Sequence, residues 1–169
     1  KSRGLGDVYK RQLSKRSNAS GMRAGFIAGD KNIIESYKLL VSNGASPVPI
    51  PIQKVAASLY ADEEHHTKAC IHYDKNFSIV EKYLKPFYKD FKLPDAGFFL
   101  WLKVRDDQQA AKILWNKFSL RVMPGSFMGI NVQGFNPGKG FLRISLVDNK
   151  EVIEEAMKRI QLFLKLETY

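Results

Sequence analysis

The sequence is poor in cysteine. Cys70 is the only one in 169 residues, so the chain forms no internal disulfide and no cysteine-based metal site. That scarcity fits a reducing cytoplasm. Long hydrophobic runs are absent too. None approaches the roughly 18–20 residues a membrane helix needs. Internal repeats are missing. Histidine is scarce, with His65, His66 and His72 making the full set. Glu63-Glu64-His65-His66 has metal-binding residue types, but adjacent side chains on a helix point in different directions. Helical zinc pairs favour i, i+4 spacing, and His72 lies too far along to complete one. The expectation is a solvated helix face and no metal.

Acid is in the minority. Lys and Arg number 27 against 17 Asp and Glu, for a net charge of +10. Much of the excess sits at the front, where Lys1, Arg3, Lys10, Arg11, Lys15, Arg16 and Arg23 face only Asp7. The remainder is a mildly basic body with no continuous basic stripe and no recognition motif, which argues against nucleic-acid binding. A non-enzymatic basic interaction domain using residues 1–23 as an arm is the alternative from another functional class. Residues 1–11 show neither helical nor strand periodicity. They read as a tag, a junction or a disordered arm, and are set aside from fold reasoning.

The rest has ordinary globular composition. Gly25 to Gly29 has the bulk of a short buried strand. Asp30 offers an N-cap for a helix over Asn32–Ser42, closed by Asn43-Gly44. The prolines at 47, 49 and 51 predict an extended turn over 45–52, followed by a helix from Gln53 to Ala61. Residues 63–91 read as one long, mostly helical stretch broken near Pro86. Phe98–Val104 is so uniformly apolar that it predicts a strand covered on both faces. Asp106 can cap a helix over Asp107–Phe118. Strands follow at Leu120–Met123 and Phe141–Val147, with glycine-rich turns between them. A last helix runs from about Lys150 to Leu166 with Val152, Ile153, Ala156, Met157, Ile160, Phe163 and Leu164 inward. From Phe98 onward this is a compact α+β unit.

Two places carry chemistry. Lys15, amid small polar residues, has the reach of an imine-forming amine. Arg23 can clamp a phosphate with its planar fork, and Gly21 and Gly25 allow close backbone approach. On spacing alone, a basic solvated loop is the favoured reading. Arg143 sits inside an apolar strand, where a charge needs a partner. From composition alone it is a strand-edge arginine paired with a nearby acid.

Residue order adds to this. Leu13-Ser14-Lys15-Arg16-Ser17-Asn18-Ala19-Ser20-Gly21-Met22-Arg23-Ala24-Gly25-Phe26 resembles the cofactor-lysine segment of class I/II aminotransferases, the fold-type I pyridoxal-phosphate enzymes. Val122-x-Pro124-Gly125-Ser126-Phe127-x-Gly129, with Asn136-Pro137-Gly138-Lys139-Gly140-Phe141-x-Arg143-Ile144-Ser145-Leu146-Val147, resembles their C-terminal domain. Asn136-Pro137-Gly138 and Pro94–Trp101 further resemble the succinyldiaminopimelate aminotransferase branch. Gln12 departs from the family's usual serine, whose hydroxyl meets the phosphate, and Ser20 replaces a frequent proline.

The resemblance implies an α/β fold: a remnant of the large cofactor-binding domain with a linking helix over 12–75, and a small α+β domain over 76–169. It implies pyridoxal 5′-phosphate as cofactor, Lys15 as the Schiff-base lysine, Arg23 as a phosphate ligand and Arg143 as the ligand of the substrate α-carboxylate. Amino-acid and 2-oxo-acid substrates, a cytoplasmic homodimer in the full-length protein, and no membrane or nucleic-acid partner go with it. In the family, the acid facing the pyridine nitrogen and the ring-stacking aromatic precede the lysine. These 169 residues therefore read as the C-terminal portion of such an enzyme, inactive alone.

Overall fold

A computed structural model describes residues 8–167 and divides the chain into two units, Lys1–Cys70 and Ile71–Tyr169. The leader expected over residues 1–11 falls mostly on residues 1–7, outside the described residues.

In the first unit, β1 (Val8–Gln12) pairs antiparallel with β2 (Gly25–Gly29), in register from Val8 opposite Gly29 to Gln12 opposite Gly25. Val8–Gln12 therefore forms a strand although its sequence shows no strand period. Its neighbour dictates the conformation: Gly25 meets the Arg11 backbone so closely that an added Cβ would sit 2.4 Å from the Arg11 carbonyl oxygen. Between the strands lie a four-residue helix α1 (Leu13–Arg16) and a 3-10 turn at Ser20–Met22. Leu13 and Ala24, joined by Leu13 N–H donating to Ala24 O at 3.1 Å, are buried at the hairpin's base.

Helix α2 (Lys31–Gly44) starts at Asp30, whose carboxylate accepts from the N–H groups of Asn32 (2.9 Å) and Ile33 (3.3 Å). It runs through Gly44 instead of stopping before it. None of its residues is buried, and Leu39 and Leu40 are largely exposed. Helix α3 (Ile50–Ala61) starts three residues earlier than the prolines suggest. Pro51 falls in its first turn, where a backbone N–H has no acceptor anyway, so the ring costs nothing there.

Helix α4 (Glu64–Leu84) ends in a 3-10 turn at Lys85–Phe87, at the expected proline break. In the second unit, β3 (Phe99–Lys103), β4 (Met123–Pro124) and β5 (Phe141–Ser145) form an antiparallel sheet in the order β3-β5-β4. The strand expected at Leu120–Met123 is thus only two residues, shifted to Met123–Pro124. Helices α5 (Asp107–Phe118) and α6 (Lys150–Glu167) complete the unit. Its core joins Val80 and Leu84 of α4, Leu100, Leu102, Leu142 and Ile144 of the sheet, Leu114 of α5, and Met157, Ile160 and Phe163 of α6.

The expectation that Phe98–Val104 is covered on both faces is corrected. β3 is an edge strand with Leu100 and Leu102 buried and Trp101 46% exposed. The outward Phe99 and Trp101 are aromatic, which hides the period of two in the composition. Val152 likewise lies outside the α6 stripe, 49% exposed. Asn76, unremarked in the sequence, is a buried tie: its side-chain amide donates to Leu146 O (2.9 Å) and Asp148 O (3.0 Å). Among the described residues, no helix is long and apolar enough to cross a membrane.

Candidate active site

In the first unit, the β1–β2 hairpin places Lys15 in α1 and Arg23 two residues before β2. Lys15 is exposed. Arg23 takes a left-handed backbone, φ 49°, and its Nη1 donates to Ser20 O at 3.1 Å. Asn18 is left-handed too, φ 53°. In this segment the positive φ thus falls on Asn18 and Arg23 and not on Gly21 or Gly25, and a non-glycine residue in that region is held there by its surroundings. Arg23 lines a cleft of about 260 Å³ together with Lys10, Arg11, Ser14, Tyr37 and Val48. Lys15 is not in that lining. Three cationic side chains and two hydroxyls around one small cleft suit an anion.

Arg16 and Ser17 are both held by the α3–α4 corner. Arg16 Nη1 donates to Leu59 O at 2.7 Å, and the guanidinium pairs with Glu63 and lies over the Tyr60 ring. His65 Nε2 is 2.9 Å from Ser17 Oγ, and its Nδ1 is 3.0 Å from Asp62 Oδ2. The Asp62 contact is close but bent, short of an aligned hydrogen bond. The His65 side chain facing Asp62 is the main reason that carboxyl is held below the usual aspartate range. His65 is half-buried and committed to this corner, not a solvated residue as its position in Glu63-Glu64-His65-His66 suggests. No local pattern signals this, because Ser17 is 48 residues away.

In the second unit, Arg143 lies on β5, the middle strand, opposite Trp101 of β3 and Met123 of β4. Its guanidinium carbon sits 4.5 Å from the Phe99 ring centroid. Among the described residues no acid pairs with it, so the reading as a strand-edge arginine with an acidic partner is set aside on both counts. A half-buried guanidinium on an aromatic face, with its donors unspent on protein carboxylates, is suited to a planar anion.

Two loops frame that sheet. An added Cβ at Gly125 would sit 2.3 Å from Gly138 O, and one at Gly138 would sit 2.0 Å from Gly125 O. Only glycine allows these backbones to touch. Asn136 stitches the same loops, donating to Ser126 O (2.9 Å) and accepting from Gly138 N–H (2.9 Å). Asp106 caps α5 as expected, accepting from Gln108 and Gln109 N–H. Asp107, which the sequence shows only as the first residue of that helix, is 3% exposed and accepts from Ser126 N–H (2.8 Å) and Gly140 N–H (3.1 Å). Burial alone would push that carboxyl up, but the Ser126 side chain and these N–H donors together outweigh it and hold it below the ordinary aspartate value.

The sequence matches the family described as aminotransferase class I and II over residues 7–160. This chain belongs to that family. Family members use pyridoxal phosphate, and the fold is that of the fold-type I aminotransferases. The chain is 34% identical to a solved aminotransferase from Neisseria meningitidis Z2491, with a TM-score of 0.81, over 95% of this chain and 40% of that one. It is 29% identical over 153 residues to LL-diaminopimelate aminotransferase 2 of Nostoc sp. PCC 7120, covering 88% of this chain and 38% of the relative. It is also 29% identical over 164 residues to an aspartate aminotransferase of Pyrococcus abyssi, covering 90% and 40%. The chain thus spans about two-fifths of the length of these relatives. The residues present fit the cofactor's phosphate in kind, since Arg23, Lys10, Arg11 and Ser14 share one cleft.

Proposed function

We propose that the protein of which these residues form a part is a pyridoxal-phosphate aminotransferase, moving an amino group from an amino acid to a 2-oxo acid. The observation that carries this reading is Arg143, a guanidinium on the central strand with no acidic partner among the described residues. Arg143 binds the α-carboxylate of the amino donor through a bidentate fork. Arg23 binds the cofactor phosphate. Lys15 Nζ would hold the cofactor, and as a free amine it would take the proton from the substrate Cα and deliver it to the cofactor. When bound, the cofactor supplies the electron sink that makes that proton removable.

For the donor we favour N-succinyl-L,L-diaminopimelate, with 2-oxoglutarate as acceptor, in lysine and diaminopimelate biosynthesis. The support is the Asn136-Pro137-Gly138 and Pro94–Trp101 segments, and it agrees in part with a relative named for LL-diaminopimelate. Aspartate is the second reading, favoured by the relative named as an aspartate aminotransferase. Alanine or aromatic donors follow from the same superfamily. Comparing kcat/KM for these donors decides among them.

The test of Lys15 is chemical. The chain is joined to its natural upstream half, loaded with pyridoxal phosphate, reduced with borohydride and mapped by peptide mass spectrometry. The label is expected on Lys15, and a label elsewhere removes the assignment.

A further inference from the structure

Helix α1 has four residues, no side-chain cap at Gln12 and no acid in its first turn. So short a helix does not hold its own geometry in water. Catalysis needs a reacting amine fixed to a fraction of an ångström. The restraint therefore has to come from outside α1, and it reaches both residues that follow Lys15. Arg16 is 10% exposed at its side chain and anchored on Leu59 O, Asp62 O and the Glu63 carboxylate. Ser17 Oγ meets His65 Nε2. Asp62 is itself fixed, because its Oδ1 accepts from the N–H groups of Glu64 (2.9 Å) and His65 (3.3 Å).

Acid, imidazole and hydroxyl in that order resemble a nucleophilic triad. The backbone argues against attack by Ser17. The N–H groups of Ser17 and Ala19 both donate to Leu13 O, at 2.9 and 3.3 Å, so neither is available to stabilise an oxyanion. The arrangement restrains instead of reacting.

We propose that His65 is a positioning residue for Lys15, clamping the Ser17 hydroxyl so that, with Arg16, the turn after the lysine is locked to the α3–α4 corner. The inference rests on the reading of Lys15 as the cofactor amine. The clamp survives either charge state of the ring. A ring with its proton on Nδ1 accepts the Ser17 O–H at Nε2, and a ring carrying a proton on Nε2 donates to the Ser17 oxygen.

The first arm of the test uses the 169-residue chain and no cofactor. The ring nitrogen shifts of His65 are followed by NMR, and S17A is expected to move Nε2 while Nδ1 stays. Unmoved shifts overturn the clamp. The second arm uses the holoenzyme completed with its upstream half. H65A and S17A are each expected to lower kcat about tenfold, with the donor KM within about twofold. Both should shift the pH midpoint of the bound cofactor's visible absorbance. The double variant should be no worse than the poorer single, because one contact is lost in each. H65Q, whose amide can still reach Ser17, should recover most of the rate. Wild-type kcat in H65A, or single effects that multiply, overturns the proposal. Borohydride mapping separates the failures. If wild type is not labelled at Lys15, the functional reading falls and takes the clamp with it. If Lys15 is labelled throughout and H65A is unimpaired, only the clamp falls.

Discussion

Arg143 and Asp107 are two charged residues whose roles are set by what surrounds them. Arg143 contributes a guanidinium on Phe99 and spends no donor on a carboxylate among the described residues. R143K keeps the charge and loses the fork, so kcat/KM for the amino donor is expected to fall about 10- to 100-fold, read by steady-state kinetics. The melting temperature should barely move, because no ion pair is broken. Asp107 is different, because it joins two loops through N–H donors at Ser126 and Gly140. Its folded-state pKa is lowered, so its contribution to stability is complete above the unfolded value near 3.9 and is lost as pH falls through the folded one. Thermal melts between pH 7 and pH 2 should show D107N less stable than wild type at neutral pH, with the gap narrowing in acid. Arg143 was legible in the sequence because a charge interrupts an apolar run. Asp107 was not, since it reads only as the first residue of the helix that Asp106 caps, and only the distant loops reveal its role. His65 was hidden for the same reason.

At the scale of elements, period and caps made most helices readable. Asp30 and Asp106 cap where expected, and α6 buries Ile153, Met157, Ile160 and Phe163 as its stripe predicts. Met157 is fully buried, so M157A should cost about 2–5 kcal/mol in chemical denaturation. V152A, on the exposed side of the same helix, should stay within about 0.5 kcal/mol. The elements that escaped are those whose conformation comes from a neighbour. β1 is a strand because β2 pairs with it, and β3 conceals its alternation behind outward aromatics. At Gly25 the added methyl of G25A meets Arg11 O at 2.4 Å, and backbone must move to admit it. The β1–β2 amides of G25A should therefore exchange with solvent faster than those of wild type, while the amides of β3 and β5 stay as they were.

At the scale of the molecule, burial is uneven. Among the described residues the buried hydrophobics before Cys70 are Leu13 and Ala24, and all the others lie at Phe77 or beyond. Hydrogen exchange should find strong protection in β3, β5 and α6 and much less in α2 and α3. The same division bears on activity. The chain spans about two-fifths of its relatives, and we expect the purified 169-residue polypeptide to show no turnover in a coupled transamination assay. Appreciable turnover would contradict the reading of it as part of a larger catalyst.

The bare flank of α2, with Leu39 and Leu40 facing water, also has a practical outcome. What keeps such a surface from sticking to its own kind is mutual repulsion between copies of a strongly cationic chain. Concentrated salt, or a pH near the isoelectric point of about 9.7, should turn a clear preparation cloudy, and L39E/L40E should stay clear in the same salt.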